Sequence, residues 1–86
     1  MLFEWNEEKN RRNFLKHGVS FETATLVFED PFALTQPDQL SEDEERWFTV
    51  GTAERNAVFF VVHTWLDRDG YEITRIISAR KDHFRT

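Results

Sequence analysis

The stretch AVFFVVHTWL at residues 57–66 is followed by DRDG at 67–70 and YEITRIISAR at 71–80. The first run is dense in β-branched and aromatic residues and lacks Gly, Pro and charge, which predicts a strand buried on both faces. It is well short of the roughly 20 apolar residues that span a membrane. Asp69-Gly70 is a hairpin signal, because both residues tolerate the left-handed conformation a tight turn needs. Residues 71–80 then return as an antiparallel strand. Simple alternation places Ile73, Ile77 and Ala79 on one face and Thr74, Ile76 and Ser78 on the other.

Upstream, residues 46–51 predict another strand, 36–45 an acidic loop containing Pro37, and 32–35 a short strand or a turn. Ser20 is an N-cap, and Phe21, Ala24, Thr25 and Phe28 recur at helical spacing. Asp30-Pro31 ends that helix, since the residue before proline is pushed out of the helical region. An earlier helix spans 7–17. Asn6 caps it, Glu7 and Glu8 sit at the positive end of its dipole, Lys16 and His17 sit at the negative end, and Gly18 takes the left-handed C′ position. This helix is mostly polar, with Phe14 and Leu15 as its expected anchors. Residues 2–5 read as an edge strand, and 81–86 as the start of a short third helix. The order β-α-α-β-β-β predicts an α+β fold: a small antiparallel sheet with two N-terminal helices packed on one face.

The 86 residues predict a single domain, 1–86. A chain this short buries only about 60–65% of its unfolded surface and is stable by on the order of 5 kcal/mol. Nine Phe and three Trp supply its core. The absence of cysteine excludes a disulfide framework and thiolate zinc ligation. The acidic, aromatic N-terminus is not a signal peptide, so the expected location is the cytoplasm, with no membrane association. The net charge of −5 argues against a general nucleic-acid binder. It is unevenly spread, however. Residues 38–56 carry −4, whereas 71–86 carry +2 through Arg75, Arg80, Lys81 and Arg85 against Glu72 and Asp82.

The sharp catalytic motifs are missing: no phosphate-binding glycine loop, no HExxH, no GxSxG and no cysteine nucleophile. His17, His63 and His83 lack metal-ligand spacing, so neither a metal nor a cofactor is expected. Basic groups around the sheet remain. Arg46, Arg75 and Arg80 come from strands or strand ends, Lys81 lies just beyond, and arginine offers a planar fork of donors to phosphate. Cleaving RNA without a metal needs a base for the 2′-hydroxyl, cations for the charged phosphorane and an acid for the leaving oxygen. Arg75, Arg80 and Lys81 suit the second need, and His17, His63 or a Glu the others. Each residue also has a structural reading. Lys16 and His17 suit a helix C-terminus, and His63 suits a hydrogen-bonded core position. Arg46 can pair with the acidic loop, Arg75 can snorkel or pair with a carboxylate, and Ser78 can simply pack.

Trp5 before a polar helix, KHGVSF at 16–21 and Phe28 with Asp30-Pro31 resemble the N-terminal half of the BrnT toxins. Glu44-Glu45-Arg46 with Gly51, VVHT at 61–64 and RIISARK at 75–81 resemble the C-terminal half. The resemblance runs in order over nearly the whole chain. It implies a RelE-like fold and a ribonuclease toxin of a type II toxin–antitoxin system, cutting RNA by metal-independent acid–base chemistry to arrest growth. It also implies a cognate BrnA-like antitoxin, a ribbon-helix-helix DNA-binding protein through which the complex reaches operator DNA. On that reading Arg46, Arg75, Arg80, His17 and His63 are the catalytic candidates, and Lys16, Ser78 and Lys81 bind RNA phosphate. The family usually continues past the ARK string into a basic helix. A second reading is therefore an antitoxin-binding module or co-repressor subunit without nuclease activity. A DNA-binding repressor is disfavoured. Helix 7–17 comes nearest with Arg11, Arg12 and Lys16, but it opens on Glu7 and Glu8.

Overall fold

The computed structural model describes residues 1–39, 45–54 and 57–82. In chain order these form β1 (Leu2–Glu4), α1 (Glu7–His17), α2 (Phe21–Thr25), a 3₁₀ turn (Leu26–Glu29), β2 (Leu34–Pro37), β3 (Trp47–Thr52), β4 (Val58–Arg68) and β5 (Tyr71–Lys81). The hairpin read from the sequence is the centre of the sheet. β4 and β5 pair antiparallel through a turn at Asp69 and Gly70, both at positive φ. β3 and β2 add antiparallel on one side, and β1 adds parallel to β5 on the other, giving the order β1-β5-β4-β3-β2. The architecture is thus α+β, with a mixed sheet in place of the antiparallel one expected. Residues 34–37 form a strand, settling the ambiguity at 32–35. Lys81 extends β5, and 83–86 lie outside the described residues, as do 40–44 of the acidic loop.

One face of the sheet carries the core. Phe21, Ala24 and Val27 pack on Phe59, Val61, Ile76 and Ala79. The sequence spacing placed Phe28 in this row, but the helix tightens to 3₁₀ after Thr25. The shorter turn brings Val27 inward and leaves Phe28 half-buried against Phe3 and His63. Gly51 of β3 lies directly beneath. A Cβ there would stand 3.0 Å from Val27 Cγ1 and 3.1 Å from both Ala33 Cβ and Asp30 Oδ2. Asp30 closes this corner by accepting from the Phe32 and Thr52 backbone N–H groups and the Thr52 hydroxyl. These bonds hold its carboxyl below the usual range, the Thr52 N–H contributing most.

β5 does not alternate as expected. Val62 pairs with Ser78 and His63 with Ile76, leaving Ile77 as the extra residue of a β-bulge. The side-chain phase inverts there, so the core face is Thr74, Ile76 and Ala79, all buried, while Ser78 and Arg80 share the opposite face.

α1 is capped as predicted. Asn6 Oδ1 accepts from Lys9 N–H, and Gly18, at φ 71°, returns its N–H to the Phe14 carbonyl. Its anchors differ from the expectation. Phe14 and Leu15 are 54% and 78% exposed, whereas Asn10 and Asn13 are buried. The reason lies in the sheet edge. β1 covers β5 only at 73–75, and the backbone of Ala79 further along still needs partners. Asn13 supplies them: its Nδ2 donates to the Ala79 carbonyl at 2.7 Å and its Oδ1 accepts the Ala79 N–H at 3.2 Å. The same Nδ2 also donates to the Val19 carbonyl at 2.9 Å. Asn10 Oδ1 accepts the Phe21 N–H, tying α1 to the start of α2. Replacing Asn13 with Ala is expected to lower stability by about 2–4 kcal/mol, because it leaves buried backbone groups unpaired. A urea melt showing a loss below about 0.5 kcal/mol would refute this account of the α1 dock.

Candidate functional site

The face of the sheet opposite the core carries two cross-strand rows. Gln36, Phe48, Val62 and Ser78 are successive partners in one, and Leu34, Val50, Phe60 and Arg80 in the next. Residues directly opposite on neighbouring strands project to the same side, so each row ends at the β5 edge in a polar group. α1 runs along that edge and delivers Lys16 and His17 from its last turn. The result is a cleft of about 530 Å³ floored by Phe48, Phe60 and Val62 and walled by Lys16, His17, Ser78 and Arg80. The Arg80 guanidinium stacks over the Phe60 ring, 5.4 Å from its centroid. Asp38 brings a carboxylate to the far rim.

Of the residues singled out from the sequence, Lys16, His17, Ser78 and Arg80 are thus brought together. The others are elsewhere. Lys81 pairs with Phe59 and projects to the opposite face from Arg80. Arg46 lies beside the rim, its carbonyl accepting the Asp38 N–H at 2.8 Å. Arg75 is on the far part of the sheet, bonded to Glu4 at 2.6 Å. Glu4 also accepts from Arg68 at 2.9 Å. These two bonds, Arg68 foremost, hold the Glu4 carboxyl below its usual range. The pairing follows from the parallel register Glu4–Arg75, which the antiparallel expectation did not contain. Asp38, Phe48 and Phe60 were not singled out. The two Phe residues read as core, and only their phase relative to Gly51 and Val61 separates them from it.

His63 is fully buried on the core side. It stands between the rings of Phe28 and Trp65, at 5.1 and 5.3 Å, and its Nε2 bonds to Thr49 Oγ1 at 2.8 Å. Thr49 Oγ1 is in turn 2.8 Å from Thr35 Oγ1. Burial lowers the His63 pKa to about 4, only partly opposed by the backbone at Thr64. His63 is therefore neutral at physiological pH. Among the described residues no group of His, Asp or Glu is placed to hold a metal ion.

Residues 5–85 match the family described as the ribonuclease toxin, BrnT, of type II toxin–antitoxin systems. The chain belongs to this family. It is similar to a solved structure, the Brucella abortus ribonuclease toxin BrnT, at a TM-score of 0.70 and 21% identity. The match covers 98% of this chain and 100% of that one. At this identity the likeness establishes the fold. No curated protein sequence matches. Membership of a type II family implies an antitoxin partner. No helix among the described residues is long and apolar enough to cross a membrane.

The neutral His63 gives a pH signature. Its folded pKa lies below the ordinary 6.5, so the stabilisation is complete above pH 6.5 and is lost as pH falls toward 4. Urea melts should show stability dropping by about 1–2 kcal/mol between pH 7.5 and 5, a range in which the carboxylates remain ionised. His63→Gln retains a partner for Thr49 and should flatten this slope. An unchanged slope in the variant would show that another group titrates.

Proposed function

We propose that the chain is an endoribonuclease that cuts RNA by metal-independent acid–base chemistry in the cleft of Lys16, His17, Ser78 and Arg80. The observation that carries this reading is the convergence of these four residues, separated in sequence, on one concave surface. In the reaction a base removes the 2′-hydroxyl proton, O2′ bonds to the adjacent phosphorus, and the P–O5′ bond breaks as an acid protonates O5′. The products are a 2′,3′-cyclic phosphate and a 5′-hydroxyl. An imidazole can accept or donate a proton through its ring nitrogens, which suits His17 to one of these transfers. Arg80 and Lys16 face the charge that grows on the phosphorane, and the Ser78 hydroxyl can donate to a non-bridging oxygen. In this reading Arg46 flanks the cleft as a further phosphate contact, Lys81 stands apart on the other face, Arg75 secures β1 and His63 the core. The partner is a BrnA-like ribbon-helix-helix antitoxin, operator DNA is reached only through that complex, and the setting is the cytoplasm.

Expressed without antitoxin, the wild-type chain should arrest growth, and the purified protein should leave 2′,3′-cyclic phosphate ends on RNA. His17→Ala and Arg80→Ala are each expected to slow cleavage by about 10²–10⁴-fold. Their stability should stay within about 1 kcal/mol of wild type. A wild-type chain that binds its antitoxin yet neither arrests growth nor cuts RNA would instead be a catalytically silent binding module.

A further inference from the structure

We infer that the α1 face bearing Lys9, Arg12 and Lys16 is a phosphate track that holds single-stranded RNA beside the cleft, an inference that rests on the ribonuclease reading above. A second groove, of about 220 Å³, runs between α1 and β5. It is lined by Lys9, Arg12, Lys16 and His17 on the helix and by Ile77 and Ser78 on the strand. Lys16, His17 and Ser78 also line the cleft, so the two depressions adjoin. The spacing 9, 12, 16 puts the cations on one side of the helix, spread over about 10 Å of its axis. That is roughly the length of three stacked nucleotides.

The charge of this groove is one-sided. None of its described lining residues is acidic. Glu7 and Glu8 line a different depression with Arg11 and Phe14. Glu8 is taken up by Arg11 at 2.8 Å, and its contact with Arg12 is a 3.5 Å pair between exposed side chains, which water and salt screen. Arg12 therefore keeps most of its charge for a ligand. The Asn13 bonds to Ala79 hold the helix rigidly against the strand, so the cations are fixed in register with the cleft. At the cleft end Phe48 and Phe60 form an apolar floor, with the Arg80 guanidinium over the Phe60 ring. Such a floor accepts an unpaired base, which favours a single strand over a duplex.

The test compares a dinucleotide with an unpaired RNA of about 12 nucleotides across a salt series, using wild type and the double variant Lys9→Gln/Arg12→Gln. The dinucleotide should be cut equally well by both proteins, within about twofold. The longer RNA should lose about tenfold or more in kcat/KM, with the salt slope reduced by about 1.4 for the two lost cations. Equal effects on both substrates, or none on either, would overturn the track. So would a variant that cuts both like wild type but binds antitoxin more weakly, which would assign the groove to the antitoxin. Wild-type protein that cuts neither RNA removes the ribonuclease reading, and this inference with it.

Discussion

The edge of β5 at Ala79 sets the terms for the whole molecule. A strand edge next to the core cannot leave its N–H and C=O without partners, and β1 is too short to reach this far. The Asn13 side-chain amide has the same donor and acceptor as a peptide group and completes the edge in place of another strand. That contact fixes where α1 lies. It therefore also fixes where the basic last turn of α1 meets Ser78 and Arg80. One buried amide serves the fold and the cleft together.

The bulge at Ile77 acts on the same strand. Without an extra residue, Ser78 and Arg80 would share the phase of Thr74 and Ile76 and face the core. With it, Thr74, Ile76 and Ala79 all remain inward, and the serine and arginine turn outward beside Val62 and Phe60. The core keeps its small and branched residues, while the open face gains a hydroxyl and a guanidinium at adjacent row ends.

What the sequence revealed followed the range of each interaction. The hairpin at Asp69-Gly70, the Asn6 and Ser20 caps and the Gly18 stop are local, and each was legible. The dock of α1 was not, because hydrophobic patterning points to Phe14 and Leu15 whereas the edge of β5 required amides. The bulge was hidden by the Ile76-Ile77 pair, either of which suits a core. At the site, Lys16, His17, Ser78 and Arg80 were legible as basic or hydroxyl groups in strings that resemble a family. Their meeting depends on partners 66 residues apart, Asn13 and Ala79. A carboxylate partner for Arg75 and a hydrogen-bonded core place for His63 were legible in kind, but the particular partners, Glu4 and Thr49, depend on strand register.

The separation between Asn13 and Ala79 has a consequence for timing. Translation delivers α1 well before the far end of β5. Contacts this distant in sequence form only after the intervening loop has been closed. A growing chain that has not yet released residues 78–80 has a complete α1 but no wall opposite it. The cleft therefore arises only after β2, β3 and β4, which lie between these two walls in the sequence, have been made.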